Sequence, residues 1–144
     1  MRPGDEVRLL VPHAGSMCLL ERVLEWDEHH VVLATSTHRR LDNPLRAAGR
    51  LRSVHLCEYG AQAMAVHGGL LAAAEGGRAP PGLLVSLRDV VLGTDFVDDQ
   101  PGELRVEAER LHGTPASWQY RFEVSHDGRR LAAGRAAVML RDQR

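Results

Sequence analysis

Residues 54–75 read VHLCEYGAQAMAVHGGLLAAAE, and the fold of the chain turns on this stretch. Its Ala, Leu and Met content and its length of several turns predict the one long helix of the protein. Three glycines, Gly60, Gly68 and Gly69, stand inside it. Each costs a helix about 1 kcal/mol relative to Ala. Their place among Ala61, Ala63 and Ala65 therefore predicts close packing, with another stretch of backbone lying very near.

Outward from the helix the pattern turns to strand. Residues 77–82 (GRAPPG) form a loop break, and 83–92 (LLVSLRDVVL) are rich in apolar and β-branched residues. Between 103 and 111, Leu104, Val106 and Ala108 alternate with Glu103, Arg105, Glu107 and Glu109, as in a half-buried strand. Trp118, Tyr120, Phe122 and Val124 alternate in the same way with Gln119, Arg121 and Glu123. His126-Asp127-Gly128 then supplies a turn before the apolar run Leu131 to Leu140. Ahead of the helix, residues 17–26 and 31–37 are expected to pair across Asp27-Glu28. The order is two strands, helix, then about four strands. It predicts a single α+β domain over residues 1–144, with a curved antiparallel sheet of about six strands wrapped around one central helix.

Composition narrows the function. A net charge of -1 on 144 residues offers no positive field for nucleic acid. All 18 basic residues are Arg, so Schiff-base chemistry and the Lys of a phosphate-binding loop are both excluded. No apolar run is long enough for a membrane span, and the start MRPGDEVRLL lacks the apolar segment of a signal peptide, so a cytoplasmic location is expected. Cys18 and Cys57 form no paired motif and are expected to be reduced thiols. His55 and Glu58 lie three apart and His29 and His30 are adjacent, but neither spacing matches a metal motif, and no metal is expected.

Two segments carry a family resemblance: LVPHAGSMCLLERVLEW, with Pro12-His13, and CEYGAQAMAVHGG, with Glu58-x-x-Ala61-Gln62. They resemble the hotdog-fold 3-hydroxyacyl-(acyl carrier protein) dehydratases. Pro12 to Met17, Asn43 to Arg46 and Glu58 to Ala65 are more similar still to the dehydratase-like subfamily of aryl polyene and related specialised lipid pathways. The resemblance implies a hotdog fold and dehydration of a 3-hydroxyacyl thioester to the trans-2-enoyl product. It implies no cofactor beyond the phosphopantetheine that carries the substrate on acyl carrier protein, and a site assembled across a dimer of like or unlike hotdog subunits. Asn43 and Arg46 are expected to bind substrate. The better-known fatty-acid dehydratases place their catalytic His in a Gly-His-Phe-Pro loop, where this chain reads NPLRAAGRLRSVHL. His13 therefore takes the histidine's role, or His55 approximates it from the helix start, or the chain is no longer a dehydratase.

The reaction needs a base for the C2 proton, an acid for the departing C3 hydroxyl, and stabilisation of charge on the thioester oxygen. His13 as base and Glu58 as acid divide the first two tasks. The start of the helix, with its free N–H groups, is expected to serve the third. Gln62, one turn beyond Glu58, is placed to orient that carboxyl group or to bind the thioester. The segment 39–52 carries Arg39, Arg40, Arg46, Arg50 and Arg52 against one Asp, and is read as a docking patch for an acidic carrier protein. Two other readings remain open: an acyl thioesterase with Glu58 as base, and a non-catalytic subunit of a hotdog heterodimer.

Overall fold

The computed structural model describes residues 17–77 and 82–140; Pro12 and His13 lie outside them. The elements in chain order are β1 (Arg22–Trp26), β2 (His30–Thr35), α1 (Leu56–Ala74), β3 (Gly82–Leu92), β4 (Leu104–Gly113), β5 (Ser117–His126) and β6 (Arg129–Leu140). The strands form one sheet in the order β1-β2-β4-β5-β6-β3, every neighbouring pair antiparallel. α1 lies across β2, β4 and β5, with β6 at its margin. Among the described residues, one long α-helix and six antiparallel strands agree with the expected architecture.

Registered rows of apolar side chains build the core. Leu33, Val106, Val124 and Ala132 stand opposite one another on β2, β4, β5 and β6, and all four are buried. The β5–β6 turn matches its sequence: Asp127 and Gly128 have φ of 49° and 79°, the pair of positive values that a two-residue hairpin requires. α1 ends where Gly76 takes a φ of 79° and the Gly77 N–H returns to the Ala72 carbonyl.

Two of the helix glycines, Gly60 and Gly68, are explained by side chains, not by the backbone neighbour expected. A Cβ on Gly60 would lie 2.5 Å from the Phe122 ring, and one on Gly68 would lie 2.5 Å from the Trp118 ring. Gly134 of β6 meets the opposite edge of the same Phe122 ring, where a Cβ would lie 3.0 Å away. Phe122 is thus sandwiched between two glycines, one from the helix and one from the sheet.

The strand expected over 17–26 begins only at Arg22. Residues 18–21 stay outside the sheet because other partners take their main-chain groups. Leu19 N–H donates to Gln62 Oε1 (2.9 Å), and the Leu19 carbonyl accepts from the hydroxyls of Thr35 and Thr37 (2.6 Å each).

Candidate active site

Glu58 sits in the first turn of α1 and is half-buried. The flank of the helix that remains partly open runs through Cys57, Glu58, Ala61 and Ala65. Gln62 is fully buried, and its amide group is shared three ways. Its Nε2 donates to the Met17 carbonyl (2.6 Å) and to Glu58 Oε1 (3.3 Å), while its Oε1 accepts from Leu19 N–H. One side chain therefore ties the Glu58 carboxylate to the segment that follows the Pro12-His13 motif. His55 precedes α1 at the end of a 3-10 turn, Ser53–His55, half-buried and making no side-chain cap to the helix.

That turn alters one expectation. The N–H groups of His55 and Leu56 bond within it, and the Ser53 N–H donates to the Asp95 carbonyl (2.9 Å). The helix start is less open to a substrate oxygen than its sequence implied, because the chain winds into 3-10 geometry before α1 begins.

The Asn43-Pro44-Leu45-Arg46 motif forms an internal staple. Asn43 is buried; its Nδ2 donates to the Thr37 carbonyl (2.9 Å) and to Tyr59 Oη (3.1 Å), and its Oδ1 accepts from Leu45 N–H (2.9 Å). Arg46 donates to the carbonyls of Gly49 (2.7 Å) and His38 (3.3 Å). Tyr59, one residue beyond Glu58, also bonds Thr37 Oγ1 (2.9 Å), and burial pushes its phenol up from the ordinary value. The loop before α1 is thereby fixed to the turn of the helix that carries Glu58.

The arginines of 39–52 differ in their contacts. Arg39 and Arg40 are exposed beside the 3-10 turn Thr37–Arg39. Arg50 pairs with Asp98 (3.0 Å), and Arg50 and Arg52 both lie over the Phe96 ring, 4.1 and 5.1 Å from its centre. Arg52, Ser53 and Val54 line a cavity of about 550 Å³ with Leu92, Gly93, Thr94 and Asp95, opening where the chain enters α1.

Sequence reasoning passed over Thr35, Thr37, Tyr59 and His38. The run Thr35-Ser36-Thr37 at a strand end was the available signal, since hydroxyls there bond nearby main chain. His38 is wholly buried, with Nε2 donating to the Gln100 carbonyl (2.8 Å) and Nδ1 unpartnered. Among the described residues no cluster of His, Cys, Asp or Glu is arranged to hold a metal ion, and no helix is long and apolar enough to cross a membrane.

A family model described as ApeP dehydratase, of the ApeP-like type, matches residues 5–143. No curated protein matches the sequence. Among solved structures, the dehydratase heterocomplex ApeI:P from Xenorhabdus doucetiae is similar at a TM-score of 0.83 and 23% identity, over 99% of this chain and 93% of that chain. AziG of S. sahachiroi is similar at 0.63 and 19%, over 92% of this chain and 99% of that one. A hypothetical thioesterase of Streptococcus pneumoniae, solved with coenzyme A, is similar at 0.58 and 17%, over 85% and 87%. With one helix against six antiparallel strands, these likenesses identify the hotdog fold.

Proposed function

The chain belongs to the ApeP-like dehydratase family, and from that membership we propose that it removes water from a 3-hydroxyacyl thioester carried on acyl carrier protein, giving the trans-2-enoyl thioester. The observation that carries this reading is the grip of Gln62 on Glu58, Met17 and Leu19 at once. It brings the chain that follows His13 to the carboxylate of α1.

His13 takes the C2 proton, and the electron pair of that bond forms the C2–C3 double bond. Glu58, protonated at the start of turnover, gives its proton to the C3 hydroxyl, which leaves as water. A proton returned from His13 to Glu58 resets the pair. The positive end of the α1 dipole favours charge on the thioester oxygen. Ala61 and Ala65 leave room for an acyl chain along the half-open flank, and Arg52 at the cavity mouth offers a partner for the phosphate of the carrier's arm.

The chain acts paired with a second hotdog subunit. Supporting this, β3 is an edge strand with Leu84, Leu87 and Val90 about two-fifths exposed, and a structure similar to this chain is a dehydratase heterocomplex.

The test is mass spectrometry of a 3-hydroxyacyl chain on carrier protein, incubated with the purified chain alone and with a hotdog partner. Loss of one water with wild type, abolished in His13→Ala and in Glu58→Gln, is the expected result. Release of free acid would replace this reading with a thioesterase, and an unchanged substrate in every mixture would leave the chain a non-catalytic subunit.

A further inference from the structure

β3 pairs with β6 on one side and leaves its other edge open. It runs for 11 residues, against 5 in β1 at the opposite edge, where Arg22 and Glu25 add charge. A long edge with apolar side chains invites another strand, but main-chain bonds and apolar contact attract any strand alike. Choice of partner rests on the outer face. There Arg88 of β3 stands opposite Arg135 of β6, Arg135 opposite Arg121 of β5, and Arg121 opposite Glu109 of β4.

All three arginines are exposed. Arg121 donates to Glu109 (2.6 Å), whereas Arg88 and Arg135 have no ion-pair or hydrogen-bonded side-chain partner among the described residues. The residues flanking them on β3 and β6, Ser86, Ala137 and Ala133, bring no charge, and on β5 the diagonal neighbours of Arg135 are Gln119 and Glu123. The acid nearest in sequence is Asp89, displaced into a bulge with a φ of 55°. Like charges directly opposite one another weaken a sheet, so within this chain the Arg88–Arg135 pair is a cost that Glu109, bonded to Arg121, and Glu123, diagonal to Arg135, offset only in part.

We propose that the Arg88–Arg135–Arg121 row selects a non-identical partner, one whose edge strand sets carboxylates beside β3, and disfavours pairing of two copies of this chain. The proposal rests on the reading of the protein as one of two hotdog subunits and names how that partner is chosen. Two copies pairing about a two-fold axis lay β3 along β3. In the register that centres the axis on Leu87, the middle residue of Gly82–Leu92, the two Arg88 side chains lie diagonal to each other on the outer face and the rows join into one strip. A partner with Asp or Glu at that place turns the same strip into complementary pairs, and like charge becomes a barrier to the wrong assembly.

The experiment uses this chain against its own charge-reversed form. Self-association of wild type, of Arg88→Glu/Arg135→Glu, and of their equimolar mixture is measured by analytical ultracentrifugation in about 0.05 M and about 0.5 M salt. Thermal melts verify that the variant is folded. The mixture is expected to associate about tenfold or more tightly than either chain alone at low salt, with the gap closing at high salt. The neutral Arg88→Gln/Arg135→Gln form is expected to self-associate more tightly than wild type. Wild type pairing with itself as tightly as the mixture does, a preference that survives high salt, or a mixture that does not associate would each overturn the proposal. No substrate enters this measurement, so absence of dehydration would count against the catalytic reading alone.

Discussion

Phe122 shows how much one ring demands of its neighbours. Opposite sides of the ring meet Gly60 and Gly134, and a methyl group at Gly60 would sit 2.5 Å from it. Gly60→Ala improves helix propensity by about 1 kcal/mol yet overpacks a buried contact at a cost of about 1–3 kcal/mol. A net loss of stability is therefore expected in urea denaturation; a gain would show that the ring can move aside. Histidine burial sets the response to pH. His67 is wholly buried, its Nε2 donating to the Asp27 carbonyl (2.9 Å) and its Nδ1 accepting from the Tyr120 hydroxyl (2.8 Å). Burial lowers the pKa of His67 and His38 below 6.5, so the stability of holding them neutral is lost as pH falls below 6.5. Asp27 acts with the same sign lower down: the His29 N–H and the His30 ring hold its carboxyl at about 2, and its contribution is lost as pH drops from 3.8 toward that value. His30, raised from 6.5 by Asp27, acts oppositely, contributing below 6.5 and losing that contribution as pH rises through its raised value. That pair is solvent-exposed and screened, so the buried histidines dominate. The melting temperature is expected to fall from about pH 7 to about pH 5, and to fall less in His67→Gln. An unchanged slope in that variant would remove His67 from the account.

Gln62 belongs to the scale of elements, because it joins α1 to the segment leading into β1. Gln62→Ala leaves the Leu19 N–H and the Met17 carbonyl without their partner, at about 1–3 kcal/mol each where water is excluded. The variant is expected to be destabilised and to lose protection of the Leu19 amide in hydrogen exchange. Gln62→Glu retains an acceptor for Leu19 but removes the donor to Met17 and sets a second carboxyl group beside Glu58. With Glu58 as the acid, a second carboxylate beside it favours the protonated, active form and moves the alkaline limb of kcat/KM to higher pH. A pH profile identical to wild type would separate Gln62 from the chemistry and leave it a structural clamp. The Glu58-x-x-Ala61-Gln62 spacing was plain in sequence, because residues four apart share a helix face. The bonds from Gln62 to residues 17 and 19 were not, because no local pattern encodes a contact across more than forty positions. Contacts of this kind also explain the late start of β1, where the pairing across Asp27-Glu28 was read from sequence but the side chains of Gln62, Thr35 and Thr37 had claimed the backbone of Leu19.

At the scale of the whole molecule, β3 separates folding from assembly. Leu87 is 40% exposed in the single chain, so Leu87→Glu is expected to change its stability by less than about 0.5–1 kcal/mol while abolishing pairing with a partner subunit. Size-exclusion chromatography with and without the partner checks this, and retained pairing would move the interface away from β3. The amino-acid order by itself determined the helix over 54–75, the strand alternations, the Asp127-Gly128 turn, and the two motifs that place the chain among hotdog dehydratases. Each is written in short-range periodicity, turn chemistry or adjacent residues, which depend on neighbours along the chain. The tertiary structure alone decided that Phe122 and Trp118 are what Gly60 and Gly68 accommodate, that Asn43 and Arg46 bond inward, and that Arg88, Arg135 and Arg121 align across three strands. Those facts depend on register and on contacts between residues far apart in sequence, which exist only once the sheet has closed around the helix.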